Sequence, residues 1–406
     1  MDFQVATNTV NPIQIVNEFF SGLTIALLLI PESIAFAHIL GLPPMTGIHN
    51  TMIISLITSI TGGCPTLISG STAAVATSIV GVKTLLGNDY IVPTVILGGV
   101  FQVLATVTGL YKYVSQIPKN IMSGFLVALA GLIAVSQLDN FKTKNNEYFT
   151  GLKMSNTILF TMISLAIAVY GVVEYNIKLS KTENKTVHIP GGLMSMFAIT
   201  AFIYAFSKYY ELVRVKDLGE MKSSLPTFRI PTADWSSPSN LLKIIPFALS
   251  MAFAGLMESL ITLKGVEDAL GIKANPFKES MSQGIANIVS GFGGGFGGCV
   301  LVGQSRLNTD NGATTQFSSI ITSVLFIVLT LFMAPAVNEI PISAIVGIML
   351  LVVYKTGDWS ALFKPRAFDK HWFITLITIA TGFFSGNLSL GIIVGIAIDK
   401  LMGMKW

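Results

Sequence analysis

Long uncharged stretches separated by short polar connections run along almost the whole chain. Residues 19–30, 91–111, 121–138, 157–173, 192–206, 244–263, 317–337, 341–354 and 371–384 carry few or no charges. A helix needs about 20 largely apolar residues to cross the hydrocarbon core of a bilayer, and several of these blocks suffice. They do not alternate polar and apolar residues as the strands of a membrane barrel would. Isolated strands or loops in lipid would leave backbone groups unpaired. The pattern therefore predicts an all-α, multi-pass integral membrane protein.

The longest polar segment runs from about residue 208 to 240 and contains Pro226, Pro231 and Pro238. It divides the chain into two apolar halves, residues 1–207 and 241–406, as a two-repeat transporter would be divided. It is too short to bury a core of its own. Each half contains a Gly/Ser-rich interruption at membrane depth: Gly62-Gly63-Cys64-Pro65 through Ser69-Gly70-Ser71-Thr72, and Gly291 through Gly298-Cys299 to Gly303-Gln304-Ser305. A single break of this kind reads equally well as glycine packing between helices. Two breaks in corresponding places point to a binding site built from broken helices.

A half-helix that starts inside the membrane exposes its first N–H groups and carries about half a positive charge at that end. Two such ends facing each other hold an anion without Lys or Arg. Ser71 and Thr72 in the first half, and Gln304 and Ser305 in the second, are suited to capping these starts and donating hydroxyl or amide hydrogen bonds. Glu258 stands within an apolar block, where an ionisable group is a functional candidate by default. With Thr262 one turn on, it could ligate Na⁺ or carry a coupling proton. Glu32, after Pro31, either faces the site or caps a broken helix. Arg306 follows Gln304-Ser305 but points about 200° from Gln304 on a helix, so it is a poor anion ligand.

Composition agrees: 52% of residues are hydrophobic and 11% charged, against about 25% charged in soluble domains. Two cysteines, Cys64 and Cys299, offer no disulfide framework. The first twenty residues lack a basic n-region and a small-residue cleavage site, which argues against a cleaved signal peptide. A net charge of +4 without a dense Lys/Arg run argues against nucleic-acid binding. Neither a His-Glu-x-x-His pattern nor a phosphate loop with its lysine occurs, which argues against an intramembrane metalloprotease and an ATP-driven pump. No cofactor is expected beyond Na⁺ or H⁺ as a coupling ion. With the amino terminus inside and about fourteen helices, Lys112, Lys119, Lys178, Lys181, Lys185, Lys273, Lys278, Lys355, Lys364, Arg366, Lys370 and Lys405 are cytoplasmic, a mild positive-inside bias. Both termini are then cytoplasmic.

At this point the residues resemble the sulfate permease (SulP) family of anion transporters. The resemblance rests on Pro31-Glu32-Ser33-Ile34-Ala35-Phe36-Ala37 with Gly41-Leu42-Pro43-Pro44, on Ile68-Ser69-Gly70-Ser71-Thr72-Ala73-Ala74, on Gln283 through Gly303-Gln304-Ser305-Arg306-Leu307-Asn308, and on Ile340-Pro341-Ile342-Ser343-Ala344 with Asp358-Trp359. Ser71 stands where the family usually has Pro, and Ile48-His49 where it has Leu-Tyr. The resemblance implies a 7+7 inverted repeat with core and gate domains, whose third and tenth helices are the half-helices above. It implies substrate contacts at Phe36, Ser71, Thr72, Gly303, Gln304 and Ser305, and a coupling-ion site at Glu258 and Thr262. Glu32 and Asn308 are further candidates. Related bicarbonate carriers have Asp where Glu258 stands, which leaves the ion open. An alignment through Thr315-Gln316 sets Gln304, not Arg306, at the arginine some animal members use. Most members continue into a cytoplasmic STAS domain. The chain stops at Trp406, so that domain is expected to be missing, and any homodimer would form without it.

The sequence thus predicts a secondary transporter of sulfate, bicarbonate or a similar oxyanion, not an enzyme, moving its core against its gate like an elevator. Its bound partners would be the anion and the bilayer. An anion channel, a nucleobase–proton symporter of the same plan and a sensor with a dead site are the alternatives. The symporter would want a second carboxylate at the helix-ten site.

Overall fold

A computed structural model describes residues 12–402, apart from 115–116, 143–146, 171–172, 179–183, 190, 207, 211, 219–221, 232, 234–236 and 364–369. Lys181, Lys364, Arg366 and Lys405, all used in the charge-bias argument, lie outside the described residues.

Among the described residues fourteen helices have nine residues or more. The first seven are α1 (Pro12–Ile39), α2 (Pro44–Thr61), α3 (Ala73–Leu86), α4 (Ile91–Val107), α5 (Lys119–Gln137), α6 (Gly151–Tyr170) and α7 (Gly191–Ala205). After the polar connection come α8 (Pro238–Leu270), α9 (Pro276–Phe292), α10 (Val302–Asp310), α11 (Gln316–Phe332), α12 (Ile342–Thr356), α13 (Lys370–Ser385) and α14 (Leu388–Leu401). Among the described residues five stretches, Gln14–Ile34, Asn88–Val107, Lys119–Gln137, Gly151–Tyr170 and Pro238–Leu270, are long and apolar enough to cross a membrane.

Packing shows an inverted repeat in which each helix has a counterpart seven places on. α1 packs on α11 as α8 packs on α4; α4 packs on α9 as α11 packs on α2. α6 packs on α12 as α13 packs on α5. Two groups result: a core of α1–α4 with α8–α11, and a gate of α5–α7 with α12–α14. Lipid tails are as apolar as leucine, so helices in a bilayer associate through close backbone approach and polar contacts rather than the hydrophobic effect. Gly99 illustrates this: a Cβ there would stand 2.8 Å from the Gly284 carbonyl of α9.

Two local features differ from the sequence expectation. α1 continues unbroken through Pro31 and Glu32 to Ile39, so Glu32 does not cap a helix break. Between α6 and α7, where a basic loop was expected, lies an antiparallel hairpin of β2 (Val173–Lys178) and β3 (Asn184–Ile189). Its apolar residues Val173, Tyr175 and Ile177 recur at every second position, the period of a strand.

The polar connection ties gate to core. Val215 N–H donates to the Ile340 carbonyl at 3.0 Å, and Ile342 N–H, at the start of α12, donates to Val213 at 2.8 Å. Lys216 and Arg214 both donate to the Glu339 carboxylate. Further on, Ser224 meets His49 Nε2 of α2 at 3.1 Å, and Arg229 N–H donates to Phe292 at the end of α9.

At the start of α1, Glu18 is buried and accepts from three backbone amides at the start of α11: Thr314 and Thr315 at one oxygen and Ser318 at the other, each at 2.9 Å. A carboxylate is favoured at a helix N-terminus by both the free amides and the dipole. Glu18→Ala is expected to cost about 1–3 kcal/mol, the range for hydrogen bonds to a charged group. Glu18→Gln, which keeps one accepting oxygen, should cost less; thermal unfolding in detergent orders the two.

Glu339 supplies a pH prediction. Lys216 first, and Arg214 with it, hold its carboxyl below the usual carboxylate range. A depressed pKa adds stability above the unfolded value of about 4.3, which is lost as pH falls through the folded value. Hydrogen exchange at Val215, corrected for intrinsic rate, should therefore accelerate below about pH 4. Glu339→Gln should abolish that acid step.

Candidate functional site

The two interruptions meet. The chain leaves α2 at Gly62, whose N–H still donates to Thr58, and runs to β1 (Ser69–Gly70). It leaves α9 at Gly293 and runs to β4 (Cys299–Val300). β1 and β4 pair antiparallel, Ser69 opposite Val300 and Gly70 opposite Cys299. Each strand passes within a few residues into its half-helix, α3 or α10. Because the strands are antiparallel, the half-helices leave in opposite directions with their N-termini side by side.

Extended backbone at this depth must find partners, and buried side chains supply them. Asn50 of α2 makes a paired contact with the backbone of one residue: Gly297 N–H donates to its Oδ1 at 2.9 Å and its Nδ2 donates to Gly297 O at 2.8 Å. Asn287 of α9 does the same at Gly298, at 2.8 and 3.0 Å. Each amide thus imitates a neighbouring strand. Gly297 has φ +81°, and a Cβ on Gly298 would stand 1.9 Å from the Gly70 carbonyl. Leu301 N–H donates to Ile68 O, Gly63 N–H to the Glu279 carboxylate, and Asn308 Nδ2 to Thr66 O. Thr66 has a left-handed φ of 61°, rare for a branched residue.

Around the two N-termini stand Thr72, Cys299, Glu258, Gln304, Glu32 and Phe36, all buried. Thr72 is the N-cap of α3, its hydroxyl accepting from Val75 N–H. The same oxygen lies 3.2 Å from Cys299 Sγ. The Cys299 thiol donates to Glu258 Oε2 at 3.0 Å, so Glu258 is joined through a thiol to the first half-helix. Gln304 Nε2 donates to Glu32 Oε2 at 2.6 Å. The other oxygen of Glu32 has no hydrogen-bond partner among the described residues. Glu32 and Phe36 border a cavity of about 10 Å³ shared with Gln137, Asn140 and Ile345 of the gate side, space for about one water. The core's site therefore abuts the gate.

The remaining candidates serve the frame. Ser71's hydroxyl is engaged by Asn50 and Thr51, both at 2.8 Å. Ser305 accepts from Ile68 N–H at 3.0 Å. Asn308 links Ser21, Thr66 and Ser318. Thr262 donates to the carbonyl of Glu258, not its carboxylate. Gly303 faces the gate, where a Cβ would stand 2.3 Å from Val352 of α12. α10 begins at Val302 with Leu301 as N-cap, so Gln304 and Ser305 lie inside the first turns rather than capping them. Arg306 turns away from the site and donates to the Lys355 carbonyl of α12.

Sequence reasoning did not single out Asn50, Asn287 or the role of Cys299. Cys299 lay within the quoted interruption but was weighed only for a disulfide framework. Nothing in the local pattern of Asn50 or Asn287 marks them, since their partners lie 247 residues and 11 residues away.

A family model described as the sulfate permease family matches residues 15–379. YbaR of Bacillus subtilis, provisionally named a sulfate transporter, is 32% identical over 387 residues, 95% of this chain and 76% of that protein. The bicarbonate transporter BicA of Picosynechococcus sp. is 24% identical over 372 residues, 88% of this chain; the chain spans 64% of its length. In structure, the chain is similar to the transmembrane domain of a cyanobacterial BicA, with TM-score 0.67 and 21% identity, covering 95% of this chain and 97% of that one. It is also similar to murine Slc26a9 in the inward-facing state, with TM-score 0.67 and 16% identity, covering 95% and 68%. At these identities the two structures speak for the fold.

The junction yields a stability prediction. Asn50→Ala removes both bonds to Gly297 and orphans its buried N–H and C=O, at a cost of about 2–4 kcal/mol. Gly298→Ala has no space to relax into. Both should lower thermal stability in detergent well beyond Arg306→Gln, which leaves the junction untouched.

Proposed function

Because the chain belongs to the sulfate permease family, we propose that it is a secondary transporter of small oxyanions, of the sulfate or bicarbonate class. The observation that carries this reading is the convergence of the α3 and α10 N-termini on one buried spot. The first amides of each have no acceptor in their own helix, and the two dipoles add there. Thr72 and Gln304 supply polar side chains beside those amides. A site without a fixed cation holds an oxyanion loosely enough to release it at each turnover.

Glu258 is the coupling group in this reading. Its carboxylate is tied by Cys299 to the half-helix pair and so senses whether the anion site is filled. It would carry Na⁺ through its oxygens or a proton directly. Thr262, whose hydroxyl is spent on a carbonyl, steadies the helix beside it. Transport would proceed by movement of the core against the gate, with both termini cytoplasmic. Interhelix polar contacts concentrated within the core favour its moving as one body.

One observation favours a second reading. The nucleobase–proton symporter needs a second carboxylate at helix ten, and Glu32 of α1 provides one through Gln304. Uracil therefore belongs in the test beside the oxyanions.

The test is uptake of labelled sulfate, bicarbonate and uracil into proteoliposomes, with and without Na⁺ and a pH gradient. Saturable oxyanion uptake stimulated by one gradient is expected. No saturable uptake of any small anion would sink the proposal, and saturable uracil uptake alone would select the second reading. Thr72→Val and Gln304→Ala should raise the anion KM about tenfold or more, the worth of one or two hydrogen bonds to a charged ligand. Glu258→Gln should abolish the dependence on the cation gradient while changing anion KM far less. Equal loss of both would make Glu258 a structural residue.

A further inference from the structure

A cavity of about 900 Å³ lies outside the anion site, between the core and the gate. Phe101, Leu104 and Ala105 of α4 form one wall, Leu249, Phe253 and Leu256 of α8 another, and Ile396 of α14 the gate side. It is separate from the anion path. At 100° per residue, Leu249, Ala252, Phe253 and Leu256 fall about 120–220° around the α8 axis from Glu258. The groove is thus on the back of the helix that carries the coupling carboxylate.

The lining is almost wholly apolar; its polar members are Thr108, Tyr111, Tyr113 and Lys400, all from helix ends or the short helix after α4. Tyr111 and Tyr113 lie on the short helix Tyr111–Val114, just past the end of α4. Lys400 lies in the last turn of α14. Lys112 stands between the tyrosines. Tyrosine and lysine at the ends of membrane helices mark the headgroup level. Leu104, Val107, Leu249 and Tyr113 are each about half exposed or more, a face that water would cover only at high cost.

We propose that this groove binds one anionic phospholipid, with an acyl chain between α4, α8 and α14 and its phosphate at Lys400. The apolar walls select a hydrocarbon chain over a soluble ligand. The lysine among the polar lining residues gives the headgroup a sign, since a basic residue at the headgroup level attracts anionic lipid. The volume lies toward the upper end of the 300–1,000 Å³ usual for bound small molecules. The lipid touches helices of both core and gate, so its occupancy couples bilayer composition to the boundary between them.

Native mass spectrometry tests this without any transport measurement. Detergent-solubilised protein is exchanged against phosphatidylglycerol or phosphatidylcholine and the retained lipid counted. Phosphatidylglycerol should be held in preference, and Lys400→Gln should reduce that preference about fivefold, the worth of one lysine near an anionic headgroup. Ala105→Trp, which fills the groove, should lose one bound lipid of either kind; a parallel melting curve excludes unfolding as the cause. Equal retention of both lipids, or a preference that Lys400→Gln leaves unchanged, overturns the proposal. So does an Ala105→Trp variant that keeps its lipid but loses a cross-linkable dimer, because the face then belongs to a second copy of the chain.

Discussion

Backbone exposed at membrane depth must be paired, and the rest of this structure is arranged around that requirement. Two helices are interrupted where no water can solvate the freed N–H and C=O groups. The interruptions solve this for each other by pairing β1 with β4, and two asparagines complete the ladder at Gly297 and Gly298. Buried amides that imitate a strand are costly unless fully bonded, and here both ends of each are used. The consequence is a rigid crossing that fixes the two helix N-termini against one another. The backbone N–H groups of Gly63, Ile68, Gly297, Gly298 and Leu301 are all paired within the frame that holds those N-termini.

The sequence made this crossing legible in outline but not in detail. Gly/Ser-rich breaks inside apolar blocks carry their own signal, since a membrane helix has little other reason to tolerate them in pairs. Thr72 and Glu258 were legible for the same reason: a capping residue at a break and an acid inside an apolar block are each improbable by chance. Asn50, Asn287 and Glu18 were not, because their roles depend on partners brought near only by the fold. Ser71 and Ser305 look in sequence like ligand donors at helix starts, yet their hydroxyls are committed to the frame. Pro31 did not end α1, which runs on to Ile39. The β2–β3 hairpin escaped notice because its lysines read as a basic loop while its alternation of Val, Tyr and Ile was short.

The seam between core and gate is also built unevenly. At one end α10 holds α12 directly, Arg306 bonding the Lys355 carbonyl and Asp310 pairing with the Lys355 ammonium. Near the middle the contact is between Gly303 and Val352, a close backbone approach without charge. Arg306 thus belongs to the seam, in keeping with its helical position about 200° round from Gln304. Polar contacts that cross the seam can be exchanged for water at the membrane surface, whereas those inside the core cannot. The crossing itself lies wholly within the core, away from the polar contacts of the seam.

The polar connection sets how far. It is fastened to the gate at Val215 and to the core at Ser224, nine residues further on. A fully stretched chain spans about 3.3–3.6 Å per residue, so the leash is about 30 Å long. Any excursion of core against gate that stays within this length leaves both fastenings intact. On the core side the fastening is shared by His49 at Ser224, Met45 at the Lys222 N–H and Phe292 at the Arg229 N–H, and on the gate side a backbone bridge is reinforced by Lys216 and Arg214 on Glu339. A segment that looks in sequence like a mere spacer between repeats is thus a strap fastened to both bundles.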